Sequence, residues 1–332
     1  MKALIYTGPE GLDYIDVPDP ALELGDQLIR VALVGICGSD MHAYLGHDSR
    51  RPAPLILGHE AAGRIEGGPR DGERVTINPL VTCGVCNACQ DGRDNLCPVR
   101  QIISMPPREG GFAELVAMPD RNLVAVPDSV PLSKAALAEP IACGWHTARL
   151  SLEALLGTRD KALVIGGGAI GLGAALSLKA QGVSEVTIIE PNPTRRAHLI
   201  KRCGQTVLSE PLQDTVYDLV IDGVGYAATR ATASACVRPG GVIGHIGLGE
   251  DTGGLDIRRM TLQEITFIGT YTYTAEDFRQ TSQAIFDGRL GPLDWAEIRH
   301  LSEGAAAFSD IRNGTVAAPK ILLQPATTPE RT

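Results

Sequence analysis

The run V-I-G-G-G-A-I-G-L-G, Val164 to Gly173, constrains this chain more than any other stretch. An apolar strand-like segment, Ala162–Ile165, ends in three glycines, and a helix-periodic segment, Ile170–Ala180, follows at once. Gly166, Gly168 and Gly171 stand in the pattern G-x-G-x-x-G, with Ile170 inside it at the start of the helix. Glycines there let backbone N–H groups approach a pyrophosphate, whose charge the helix N-terminus stabilises. Alone the pattern is weak. Here Glu190 ends the second strand 19 residues past Gly171, where a carboxylate can accept both ribose hydroxyls of a dinucleotide. A carboxylate also repels a 2′-phosphate, which favours NAD over NADP. Arg195 follows within a turn and could soften that repulsion, whereas Arg196 reads as part of a solvated helix face.

From Lys161 onward strands and helices alternate. Strands are expected at 162–165, 186–190, 206–208, 219–222, 242–246 and 265–269, and helices near 170–180, 194–203, 227–237 and 277–287. That is the α/β pattern of a doubly wound parallel sheet. Residues 1 to about 130 have a different texture, with short β-type runs at 3–6, 27–34, 74–78, 112–118 and 122–126 separated by Gly, Pro and Asp. They predict a β-barrel or sandwich with long loops, followed by helices over L-S-K-A-A-L-A-E and 142–150. The tail from Trp295 to Pro325 returns to mixed texture and is expected to fold back onto the first domain. A chain of 332 residues exceeds what one core serves, so two domains are expected: 1–140 with 287–332, and 141–286.

A net charge of −9 argues against nucleic acid or an anionic membrane as partner and suits a small neutral molecule. The opening M-K-A-L-I-Y-T-G has no signal-peptide pattern, and the apolar segment 162–178 contains five glycines, so it reads as strand then helix rather than a membrane span. A cytoplasmic protein is expected. In such a reducing compartment eight cysteines point to metal ligands rather than disulfides. Cys83, Cys86, Cys89 and Cys97 follow C-x2-C-x2-C-x7-C, enough to close four thiolates around one structural zinc. An iron–sulfur cluster is the rival, but ferredoxin-type spacing has a last gap of three residues and here it is seven.

Cys37 to Glu60 reads C-G-S-D-M-H and then L-G-H-E. Thiolate and imidazole suit a borderline-soft ion, and a catalytic zinc needs a third ligand and an open position. Cys37 and His59 are two candidate ligands, and Glu139, in A-E-P-I-A-C-G-W-H, is the candidate third. Taken singly, a buried thiol and a capping histidine would be the plainer explanation.

In this order the three constellations resemble the zinc-dependent medium-chain dehydrogenases: alcohol, sorbitol-type polyol and threonine dehydrogenases. The resemblance runs over essentially the whole chain and is nearest the sorbitol-type branch. It implies a GroES-like β-barrel catalytic domain and a Rossmann domain, two zinc ions per chain, NAD, and oxidation of a secondary alcohol, polyol or sugar-derived alcohol. By the same resemblance Cys37 and His59 bind catalytic zinc, and Glu139 stands where polyol dehydrogenases supply a glutamate ligand. Glu60 matches a glutamate that approaches the metal or holds its water. Ser39 and His42 match a proton relay, Asp40 a carboxylate that orients the ligand histidine, and Arg195 a basic group near the adenosine ribose. A dimer or tetramer joined through the Rossmann sheets is also implied.

Departures bear on the substrate. Sorbitol-type enzymes often carry arginine where Thr272 stands, the Trp-rich segment of threonine dehydrogenases is missing, and the stretch between Gly63 and Val75 is short. Arg50 and Arg51 could meet an acidic substrate, although paired loop arginines usually meet water. A hydroxy acid or amino alcohol is therefore the alternative substrate class. A non-catalytic nucleotide-binding protein is the alternative of another kind, and a zinc-independent reductase conflicts with both zinc signatures. His47, His146, His198, His245 and His300 read as ordinary loop, core or surface residues.

Overall fold

Asp26–Gly35 is the strand around which the first part of the molecule is assembled, in a computed structural model that describes residues 1–325. The last residues of the tail expected to rejoin the first domain, 326–332, lie outside the described residues. Asp26–Gly35 pairs antiparallel with Glu60–Glu66 on one side and Lys320–Gln324 on the other, and its first half also pairs with Leu115–Pro119. The register sets Gly35 opposite both Glu60 and Leu322. Three segments distant in sequence therefore converge where this strand ends and Cys37 begins. Lys2–Gly8 with Gly11–Asp16 and Leu55–Ile56 forms a second, three-stranded sheet.

The described chain divides into two compact units. One holds Met1–Glu139, Ala296–Val316 and the described residues from Lys320; the other holds Pro140–Trp295 and Ala317–Pro319. In the second unit six strands form a wholly parallel sheet ordered Thr206–Leu208, Glu185–Ile189, Lys161–Ile165, Tyr217–Asp222, Val237–His245 and Thr266–Gly269. The chain runs outward in one direction from its first strand and then in the other, the doubly wound order whose reversal creates a ligand crevice at the strands' carboxyl ends. Leu163, Val220 and Ile243 are fully or nearly fully buried in its core, as expected for parallel strands covered on both faces. No described helix is long and apolar enough to cross a membrane.

Two local differences from the sequence reading have physical causes. The helix expected to begin at 142 starts at Ala138, because Pro140 falls in the first turn, where its missing N–H is not needed. Glu139 is thereby placed at a helix N-terminus. The strand expected over 112–118 becomes Leu115–Pro119, since Phe112 instead bonds through its N–H to Leu57 and through its carbonyl to Leu4.

Candidate active site and metal centres

Among the described residues, two groups of Cys, His and acidic side chains bring one ligand atom from each residue within 4.8 Å of one another: Cys83, Cys86, Cys89 and Cys97, and Cys37, His59 and Glu60. In the first, sulfur separations are 3.9 Å for Cys83 and Cys89, 3.5 Å for Cys86 and Cys89, and 3.6 Å for Cys97 and Cys83. Zinc–sulfur bonds of about 2.3 Å at tetrahedral angles put sulfurs ~3.8 Å apart, so this donor set fits one ion. A multi-iron cluster would need a wider frame. Backbone N–H groups of Val85 and Cys86 push the Cys83 thiol down to about 6, while burial and the Cys86 thiol push Cys89 up to about 11, so a bound cation is what would hold all four as thiolates.

The second group is built from the strand convergence. Cys37 precedes the helix Gly38–Tyr44, and Asp40 caps that helix by accepting the Cys37 N–H at 2.9 Å. The other Asp40 oxygen accepts the Gly58 N–H at 3.2 Å and lies 3.4 Å from His59 Nδ1. One wholly buried carboxylate thus fixes both candidate ligands. Burial works against an ionised Asp40, but His59, Arg51 and the Cys37 N–H outweigh it and hold its pKa below the ordinary range. Burial likewise opposes a charged His59, yet the Asp40 carboxylate and Cys37 sulfur raise its pKa well above the usual value. A field that favours a proton there also favours a metal cation.

Glu60 is fully buried. Its Oε1 accepts from Lys320 Nζ at 2.6 Å, while Oε2 is buried without a hydrogen-bond partner. A Cβ on Gly35 would run into that Oε2, so the bare glycine clears the path by which Glu60 crosses the central strand. Lys320 also donates to the Ile36 carbonyl at 2.7 Å. Burial disfavours its ammonium, but Glu60, Cys37 and Glu139 together raise its pKa. Glu139 is buried near enough to act on Lys320, yet it stands outside the group of three ligand atoms. A sulfur, an imidazole and an orphaned carboxylate oxygen in a buried electronegative site fit zinc.

Lys320 is absent from the sequence-based candidates. Its signal was a lone lysine opening the apolar run K-I-L-L, which calls for a buried partner. Ser39 is half-buried and His42 exposed, three residues apart on one short helix. Arg50 is exposed and bonded to Asp48, whose carboxyl is pushed down to about 2, first by that Arg50 bond. Arg51 overturns the expectation of a loop arginine in water: it is 3% exposed.

In the second unit Gly166 adopts a φ of +103°, and a Cβ on Gly171 would strike the Gly166 carbonyl. Gly168 caps the helix Ala169–Ala180, has open space where a Cβ would stand, and is followed by the half-buried Ile170. Glu190 is 6% exposed and accepts the Gly167 N–H at 3.1 Å and the Asn192 N–H at 2.8 Å. Each oxygen keeps a second lone pair for a ribose hydroxyl. Gly167, passed over in the G-x-G-x-x-G reading, is the residue that joins the cradle to Glu190. Arg196, expected on a solvated face, instead grips the Glu190 carbonyl at 2.8 Å. Arg195 is half-buried in the same helix, Pro193–Cys203.

Residues 23–128 match the family model for the alcohol dehydrogenase GroES-like domain, and residues 169–287 that for zinc-binding dehydrogenase. The sorbitol dehydrogenase of Bacillus subtilis is 32% identical over 295 residues, covering 82% of this chain and 82% of the relative. The L-galactonate-5-dehydrogenase of Escherichia coli K12 is 30% identical over 307 residues, covering 87% and 88%. Among solved structures, a short chain alcohol dehydrogenase from E. coli CFT073 complexed with NADH superposes with a TM-score of 0.87 at 26% identity, covering 98% of this chain and 99% of the other.

Proposed function

The chain belongs to the zinc-dependent medium-chain dehydrogenases, and on that premise we propose that Cys37, His59 and one of the carboxylates Glu60 and Glu139 hold a catalytic zinc at which a polyol or sugar-derived secondary alcohol is oxidised. The enzyme is an oxidoreductase that passes hydride between NAD(H) and such an alcohol or its ketone. The observation that carries the assignment is the convergence of Cys37, His59 and Glu60 within 4.8 Å, with one Glu60 oxygen buried and unpartnered.

Zinc bound there supplies Lewis acidity toward an alcohol or carbonyl oxygen. The chain's own residues do the rest. Asp40 holds the Cys37 backbone and the His59 ring. Ser39 takes the substrate's hydroxyl proton, and His42, exposed on the same helix, delivers it to water. Lys320 keeps the negative charge of Glu60 in check. On the cofactor side Glu190 accepts the adenosine ribose hydroxyls, with Arg195 beside them, and Gly166, Gly168, Ile170 and Gly171 form the pyrophosphate cradle. Cys83, Cys86, Cys89 and Cys97 hold a second, structural zinc.

The protein acts in the cytoplasm as a dimer or tetramer. Thr266–Gly269, an edge strand of the parallel sheet, is the element through which copies would join.

The test is NADH formation by purified protein against polyols, sugar acids and simple secondary alcohols, with zinc counted in the same sample. Turnover with a polyol or sugar-derived alcohol that disappears on zinc removal is expected; turnover that survives complete removal would contradict the assignment.

A further inference from the structure

Arg51 is buried to 3% exposure although it follows Arg50, whose side chain is 65% exposed. Its Nε donates to the Ser104 carbonyl at 3.0 Å, and its Nη1 to Asp48 Oδ2 at 2.8 Å and the Ser39 carbonyl at 3.3 Å. Nη2 stands 3.5 Å from both the Ser39 and the Ser104 hydroxyl oxygens. Ser104 Oγ in turn lies 3.4 Å from His59 Nδ1. Ser104 is wholly buried and holds a φ of +72°, the left-handed region that favours glycine. A side chain kept in such a conformation beside a candidate ligand, with its carbonyl and hydroxyl both turned to one guanidinium, indicates a built arrangement.

A guanidinium is planar, permanently charged and donates only. An oxygen facing it must therefore accept, and a hydroxyl so placed turns its own hydrogen elsewhere. We propose that Arg51 is a positioning residue for the reaction: it sets the direction of the Ser39 hydroxyl and, through Ser104, the orientation of the His59 ring. This rests on the roles given above to Ser39 and His59. In the proton step the substrate O–H breaks as a new O–H forms on Ser39, and the original Ser39 proton leaves toward His42 and water. Arg51 gains and loses nothing; it keeps the Ser39 lone pair and hydrogen aimed for that exchange. Asp48 supplies the countercharge that lets the guanidinium remain buried.

The experiment compares Arg51→Met, Arg51→Lys and Ser104→Ala with Arg50→Met, which alters the exposed neighbour on the same aspartate. Arg51→Met should lower kcat by about thirty-fold with KM within about three-fold, and should enlarge the solvent deuterium isotope effect on kcat. Arg51→Lys should recover part of the loss, since an ammonium can pair with Asp48 but cannot span both serines. Arg50→Met should match the wild type. A readout independent of turnover is the visible absorption of the cobalt(II)-substituted protein, which should shift in Arg51→Met and Ser104→Ala and stay unchanged in Arg50→Met. An Arg51→Met protein with wild-type kcat, isotope effect and cobalt spectrum would overturn the proposal. So would a loss accompanied by loss of metal and fold that lysine does not improve. If the wild type binds metal and NADH but oxidises no alcohol, the functional assignment fails, and the cobalt spectra still decide the role of Arg51.

Discussion

The two candidate metal centres are assembled in opposite ways. The four cysteines come from one short stretch, a loop closed only by the short pairing of Leu80–Val81 with Gln101–Ile102, and three of them are only half-buried. Cys37, His59 and Glu60 are held by an antiparallel sheet, a helix cap and a lysine 260 residues from Glu60. A closed thiolate shell needs little beyond its own ligands, because the ion itself orders the loop. A site meant to react must keep its donors in place before substrate arrives and leave one position open, so the fold has to supply buried charges and hydrogen bonds around it. The wholly buried Asp40, and Lys320 at 5% exposure, answer to that need around Cys37, His59 and Glu60.

The contrast breaks most directly with a ligand deletion at each centre. Cys37→Ala should cut turnover by about a thousand-fold or more, leave NADH binding intact and cost little stability; Cys97→Ser should reduce thermal stability and open the 83–97 loop to proteolysis. Zinc counts, NADH titration and melting curves separate the two outcomes, and equal stability losses would erase the distinction.

Lys320→Met sharpens it next. In zinc-free protein, leaving Glu60 without its ammonium partner should cost about 3–5 kcal/mol by denaturant unfolding, whereas the cysteine sulfurs contact one another and the Cys86 backbone N–H. A loss below about 1 kcal/mol would mean that Glu60 has another countercharge.

Glu190→Ala extends the comparison to the cofactor cradle, whose partners are again close in sequence. NADH should bind about ten- to a hundred-fold more weakly, and discrimination against NADPH should relax. Unchanged preference would place the selectivity elsewhere.

The smallest effect concerns pH. Burial pushes the Asp277 carboxyl up, but bonds from His146 at 2.6 Å, Arg149 at 2.7 Å and Thr274 at 2.8 Å outweigh it and hold its pKa far below the ordinary carboxylate value. A depressed folded-state pKa gives stability that is complete above about pH 4 and is lost as pH falls toward the folded value. Asp277→Asn should therefore lower stability by about 1–3 kcal/mol at neutral pH, with the deficit shrinking in acid. A deficit that stays constant down to pH 2 would contradict that sign.

How much of this was legible in the sequence follows the same division. The cysteine spacing, the glycine cradle with Glu190 and the strand–helix alternation are local patterns, and the sheet order agrees with them. Cys37 and His59 could be picked out as candidate ligands because each sits in a dense motif, and the structure brings the two together. Lys320 was not, since its partner is set by strand register across most of the chain. Arg51 was misread because burial depends on Ser39 and Ser104, whereas two adjacent arginines in a polar loop look alike from sequence. Glu139 was readable as a residue near Lys320 and the site, while its place outside the three-atom group is set by the fold and not by the A-E-P motif.

The most direct measurement is X-ray absorption at the zinc edge, with zinc counted per chain, on wild-type and Cys37→Ala protein. The wild type should hold two zinc ions with a mixed sulfur, nitrogen and oxygen shell, and Cys37→Ala should retain one with an all-sulfur shell. Two ions retained in the variant, or a wild-type shell of sulfur alone, would contradict the claim that Cys37, His59 and a buried glutamate form a metal centre.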